Sequence, residues 1–408
     1  MKEEALRDWF RGSADVRIVR FSPGGKGHEV IAAYCEGMID ARMIDEVVLP
    51  RIEESFRDAK DDSTFPALLE SRLGGEPLDL QMGRESIARK LFSGTMILFF
   101  PDAPFLFGAN VSSVPQRKPE ESSTEISIKG PRDAFTEDAV VNVALVRKRL
   151  KTSSLCVEKF EVGRRSGTNV SLLYIADIAN ADIVETVRRR MRSIDVDGVV
   201  GVAQLEEGLS GHATSLVPLL DYAGRPDYVT ESLLAGRFAV IADGTPMALI
   251  GPANLTMLLM SPEDAHLPFY YVAMERVLRF IGLLLAIFLP GFWVSVSAYN
   301  LDQIPFPLLA TITTARLGLP VSSPMDLFLM LGMFEVFREA GVRLPKAVGQ
   351  TVAVVGGLII GDAAIRAGIT SPTTLVVTAI STVATFTLIN QTLVGSVSLL
   401  RIGVLLMS

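Results

Sequence analysis

Residues 277–299 read VLRFIGLLLAIFLPGFWVSVSAY, an almost unbroken apolar run. A helix of that length covers about 30–35 Å, enough to cross the hydrocarbon core of a bilayer. Arg276 and Arg279 flank its start, and Trp293 and Tyr299 lie toward its end. Asp302 follows, with no basic residue before Arg316. The positive-inside rule therefore predicts that everything preceding the run lies in the cytoplasm. The opening MKEEALRDWF has no basic stretch followed by an apolar one, so it does not read as a secretory signal.

The run also divides the composition. Of 39 basic and 46 acidic side chains, only seven and five fall from Val277 onward. A charged N-terminal part thus precedes an apolar C-terminal part. The net charge of -7 gives no basic surface for phosphates, which argues against nucleic-acid binding. Cys35 and Cys156, both in strand-like context, read as two buried free thiols. His28, His212 and His266 lack ligand spacing, so no metal site or cofactor is expected.

The charged part predicts strands at 16–21 and 30–34, a helix over 39–52, and a hairpin of 94–100 with 105–107 around Pro101-Asp102-Ala103-Pro104. The order then recurs. VIAAYCEGMIDARMIDEVV (30–48) aligns with VSLLYIADIANADIVETVR (170–188), pairing Val30 with Val170, Tyr34 with Tyr174, Ala41 with Ala181 and Val47 with Val187. Asp40 faces Asn180. SGTMILFFPDAPFLF (93–107) aligns with AGRFAVIADGTPMAL (235–249), pairing Gly94 with Gly236 and Pro104 with Pro246. Duplication of an α/β unit explains the preserved order. A Ser-, Pro- and charge-rich linker separates the copies, and 135–150 reads as an amphipathic helix with a basic end. The expected architecture is an α/β N-terminal region of two related subdomains followed by an α-helical transmembrane domain. Its bounds are 1–111, a linker 112–128, 129–270 and a membrane domain 271–408.

Neither glycine-rich stretch carries phosphate chemistry. SPGGKG (22–27) has Gly27 where a phosphate loop needs a hydroxyl and reads as a turn. GGLIIGDAA (356–364) lacks the dinucleotide pattern. No Ser-His-Asp or Cys-His arrangement is legible, so a non-enzymatic chain is expected.

Beyond the first span the pattern loosens. Residues 304–320 are broken by Pro305, Pro307 and Pro320, and 325–341 carry Glu335, Arg338 and Glu339. A re-entrant, interfacial or interrupted segment fits both. Arg338, Arg343 and Lys346 should face the cytoplasm. Further spans are predicted over 347–367 and 372–390, with a last apolar run from Thr392. Polar residues inside such spans usually face protein or water. Gln350, Asp362, Arg366, Thr378 and Thr382 are therefore candidates for a pore or gate. Asp362 and Arg366 stand four apart and can also simply pair on one helix face. Gly349, Gly356, Gly357 and Gly361 are candidates for close helix packing, within one chain or between copies.

FREAGVRLPKAVGQTVAVVGGLIIGDAAIRAGITSPTTLVVTAISTVATFTL (337–388) resembles the A subunit of the GerA-type spore germinant receptors. KGPRDAFTEDAVVNVALVRKRLKTSSL (129–155), RSIDVDGVVG (192–201), AGRFAVIADGTPMALIGP (235–252) and SPEDAHLPF (261–269) fit the same family. The resemblance implies a multi-pass subunit of a nutrient sensor in the inner membrane of bacterial spores. It implies a permease-like B subunit and a lipoprotein C subunit as partners. It further implies a homo-oligomer, a pentamer in the family, that passes monovalent ions. The family also holds stage V sporulation protein AF-like members, which support germination without sensing nutrient. Relatives continue past the final apolar run into a proline-rich tail, so a C-terminal truncation is one reading of this chain. ATFTLINQT (384–392) also lacks the proline usual there. A secondary transporter and a membrane-anchored scaffold remain rival readings. Against the transporter stand the small number of spans and a repeat confined to the soluble part.

Overall fold

Strands β2 (Val30–Cys35) and β4 (Thr95–Phe100) are apolar along nearly their whole length, so both faces of their sheet must be covered. The computed structural model, which describes residues 3–23, 28–59, 64–102, 104–113, 131, 133–211, 215–343 and 361–408, shows how. Ile31, Ala33, Cys35, Ile97 and Phe99 point to one side and pack on Leu6, Phe10, Ile87, Leu91 and Phe92. Val30, Ala32, Met96, Leu98 and Phe100 point to the other and meet Ile44, Val48, Ile52, Phe65 and Leu69. The period of two in the strands assigns each side chain its layer.

With β1 (Val16–Phe21), β3 (Glu76–Leu78) and β5 (Phe105–Asn110) these strands make an antiparallel sheet ordered β1-β2-β4-β5-β3. A second sheet consists of β6 (Leu155–Val162), β7 (Thr168–Ile175), β8 (Asp221–Ala223), β9 (Phe238–Ala242) and β10 (Ala248–Gly251). Its order, β6-β7-β9-β10-β8, repeats the first. The aligned residues hold matching posts. Asp40 caps the helix beginning at Ala41 by accepting from the Arg42 N–H, and Asn180 caps Ala181–Ser193 by accepting from Asp182. Gly94 and Gly236 enter β4 and β9 at φ of 89° and 84°, a left-handed turn that favours glycine.

The two sheets meet at one strand edge of each. Ala14 donates to the Val157 carbonyl at 2.8 Å, and Val157 donates to Gly12 at 2.8 Å. Beside this bridge Arg147 reaches Asp15 with Nε at 2.6 Å and its other nitrogen at 2.9 Å. It also donates to Ser13 and the Thr152 carbonyl and lies 4.2 Å over the Phe92 ring. Arg147 belongs to the helix Ala139–Arg149, which corrects the expected amphipathic helix over 135–150. The helix starts four residues later because Asp138 caps it, and seven of its eleven residues are buried. Cys35 and Cys156 are both free, but only Cys35 is buried; Cys156 is half-exposed.

This compact unit extends to Ala253 except for Leu216–Pro218, which group with a second, helical unit that runs from Asn254 to the end. Its longest element, Phe269–Val294, continues through a wider turn to Tyr299, giving 31 residues. Among the described residues it is the one helix long and apolar enough to cross a membrane. Phe269, Leu278, Ile281, Phe288 and Phe292 stay exposed along it.

The later segments differ from their sequence pattern. Residues 304–320 contain one helix, Phe306–Arg316, whose prolines Pro305 and Pro307 occupy its cap and first turn. Ser323–Arg343 is one unbroken helix. Only 361–367 of the expected span over 347–367 is described, and it holds the helix Gly361–Arg366. The expected span over 372–390 is the helix Pro372–Thr385. It stops at Thr385, and Asn390 caps the next helix, Gln391–Met407, by accepting from the Leu393 N–H at 2.8 Å.

Candidate functional site

Helix 372–385 is rich in Thr and Ser, and the spacing of Thr374, Thr378, Ser381 and Thr385 puts them on one face. All four are buried. Thr378 donates to the Thr374 carbonyl at 2.8 Å and Thr385 to Ser381 at 3.0 Å, so these hydroxyls are satisfied by their own helix. Ser381 instead donates to the Ala286 carbonyl of helix 269–294 at 3.0 Å. The hydroxyl face thus turns into the unit. Thr382 is half-buried beside it and donates to Thr378 at 2.8 Å.

Four charged groups extend the polar contacts of this face. Arg401, 2% exposed, comes from helix 391–407 and ion-pairs with Glu335 of helix 323–343. A second Arg401 nitrogen lies 3.4 Å from Ser381. Glu335 also pairs with Arg338 at 2.6 Å, and Arg338 donates to Ser398 at 2.9 Å. Arg338, expected among residues facing the cytoplasm, therefore sits in a chain of polar contacts linking helices 323–343 and 391–407. Nearer the start of helix 323–343, Asp326 is 1% exposed. It accepts the Ser371 N–H, at the start of helix 372–385, at 3.4 Å. Ser371 in turn bonds the hydroxyls of Thr373 and Thr374 at 3.0 and 2.9 Å.

At the head of helix 269–294, Asp264 holds Arg276 at 2.9 Å and Arg279 at 3.1 Å. Arg279 reaches Glu275 and the Leu259 carbonyl as well. Arg279 is thus a buried anchor for residues 255–266, where its sequence position indicated a flanking surface charge.

Asp362 and Arg366 pair at 2.8 Å and remain 59% and 79% exposed. Gly361 is buried, and a methyl group there would meet Leu375 at 3.3 Å. Gln350, Gly349, Gly356 and Gly357 lie outside the described residues. The structure therefore brings Thr378 and Thr382 to the polar seam and leaves the Asp362–Arg366 pair on a separate exposed surface. Sequence reading missed Arg401 and the seat of Asp326. A lone charge in an apolar helix was the available signal. It also missed Gly282 and Gly291. A methyl group at Gly282 would meet Thr387 at 2.2 Å, and one at Gly291 would meet Val404 at 2.8 Å.

Comparison with known proteins bears on what this unit serves. The family described as Bacillus/Clostridium GerA spore germination protein matches residues 4–408. Spore germination protein XA of Bacillus anthracis is 40% identical, over 100% of this chain and 83% of that protein. The uncharacterized membrane protein YfkQ of Bacillus subtilis is 33% identical, over 96% and 75%. Spore germination protein KA of Bacillus subtilis is 31% identical, over 92% and 69%. The solved N-terminal domain of the A subunit of the Bacillus megaterium spore germinant receptor GerK3 aligns with a TM-score of 0.47 and 26% identity, covering 62% of this chain and 93% of that one. A match running from residue 4 to residue 408 takes in both the two-sheet unit and the helical unit, and the chain belongs to the GerA family of spore germination proteins.

Proposed function

We propose that this chain is the A-type subunit of a spore nutrient germinant receptor and that it conducts monovalent ions, or transmits the opening signal, without catalysing a reaction. The observation that carries the reading is the seam of buried hydroxyls and charges through helices that are otherwise apolar. Polar groups inside a membrane unit are costly and mark function or a pathway. The chain would cross the spore inner membrane several times, with the two-sheet unit in the cytoplasm. Copies would associate about an axis, alongside a permease-like B subunit and a lipoprotein C subunit. The exposed Asp362–Arg366 pair would then line the path between copies. Opening would be a change in helix packing biased by the partner's nutrient-bound state.

The test is cation release from spores in which Asp362→Ala replaces the native copy. Loss of early monovalent-cation release after germinant addition, at normal protein level and assembly, is the expected result. Unchanged release removes Asp362 from the path. Monovalent-cation flux in vesicles reconstituted with the chain and its partners then decides between conduction and a scaffold.

A further inference from the structure

The seat of Asp326 holds more than the seam requires. The carboxylate is 1% exposed, yet one oxygen, Oδ1, has no hydrogen-bond partner among the described residues. Oδ2 accepts the Ser371 N–H at 3.4 Å, which aims the group at the N-terminus of the 14-residue helix 372–385. Among the described residues no arginine or lysine pairs with it. The helix end supplies about half a positive charge. That leaves a buried carboxylate incompletely balanced, and such groups are retained only when paired, hydrogen-bonded or neutralised. The head of that helix carries hydroxyls. Ser371 bonds Thr373 and Thr374, and Thr370, Ser371 and Thr374 are all buried. One turn back on the helix of Asp326, Ser323 bonds Ser297 at 3.1 Å.

We propose that Asp326, with the hydroxyls at the head of helix 372–385, binds a single monovalent metal cation. The helix end leaves about half of the carboxylate's charge unmet, and an oxygen-lined residual charge of that size suits a hard cation of the lowest charge rather than a divalent one. Divalent and transition metals fit poorly, because no group of three or more His, Cys, Asp or Glu gathers among the described residues. The binding does not rest on conduction: a scaffold or signal transducer would hold the ion equally well. Bound there, the cation ties helix 323–343 to the head of helix 372–385.

Thermal unfolding of the full chain in detergent tests this, at fixed pH and ionic strength, in sodium, potassium or N-methylglucamine chloride. Sodium or potassium is expected to raise the midpoint by roughly 3 °C over N-methylglucamine, growing with the logarithm of concentration. Asp326→Asn should lose that difference, while Asn at the exposed Asp302 should keep it. Equal midpoints in all three salts overturn the proposal. So does a salt difference that survives in Asp326→Asn, or a midpoint that responds to pH alone, which would assign a proton. If Asp326→Asn does not fold, sodium-23 relaxation on the native chain takes its place. Broadening that potassium displaces supports the site, and its absence overturns it.

Discussion

Arg401 is a full charge inside an apolar helix, and its cost is met by one carboxylate 66 residues earlier. Removing that partner is worse than removing both. Glu335→Ala should therefore destabilise the helical unit by about 3–5 kcal/mol, and adding Arg401→Leu should restore much of it. Thermal midpoints in detergent check the pair. The sequence displays Arg401 plainly but not its partner, since only the fold places Glu335 beside it. In the two-sheet unit, Glu158 accepts from Arg188 at 2.6 and 2.8 Å and from the Tyr174 hydroxyl at 2.7 Å. The bond to Arg188 chiefly holds its carboxyl below the ordinary 4.5, while burial opposes the shift. A depressed folded value contributes stability that is complete above the unfolded value and is lost as pH falls through the folded one. Acidification below about pH 4.5 should thus lower the unfolding midpoint, and Glu158→Gln should flatten that slope. Trp9, packed on the core of the first sheet, reports it when Trp293 is replaced by Phe.

Among elements, those with a strong period were legible and those closed by a cap or a distant contact were not. The hairpin of β4 and β5 and the long apolar helix followed from pattern alone. Strands β3 and β8 have three residues each, too few to establish a period. Helix 372–385 ends before its expected bound, and Asn390, which caps the helix after it, is a polar residue hidden in an apolar run. Glycines show the same limit. Gly349, Gly356 and Gly357 carried the visible small-residue pattern, yet among the described helices of the second unit the closest approaches are at Gly282 and Gly291. Gly282→Ala would drive Thr387 from its 2.7 Å bond to the Ala384 carbonyl and should cost about 1–3 kcal/mol. Gly332→Ala meets nothing within 4 Å and should be neutral or slightly stabilising by helix propensity. Melting of the two variants in one detergent compares them directly.

For the whole molecule, the division into a charged two-sheet unit and an apolar helical unit was readable from charge and hydropathy, and the duplication from two short alignments. The closure between the two sheets was not. Arg147 stands in the run Val146-Arg147-Lys148-Arg149, which reads as a solvated basic end; its burial depends on Asp15, far away in sequence. Arg147→Ala should destabilise the unit by about 3–5 kcal/mol by stranding that carboxylate. Urea unfolding followed by Trp9 fluorescence measures it, with Trp293 again replaced by Phe. The same closure sets a clock on biosynthesis. Asp15 leaves the ribosome 132 residues before the arginine that neutralises it. At about 5–20 residues per second, the first sheet waits roughly 7–26 s with that acid unmet. The first copy of the duplicated fold must therefore survive alone, incomplete, until translation delivers its twin.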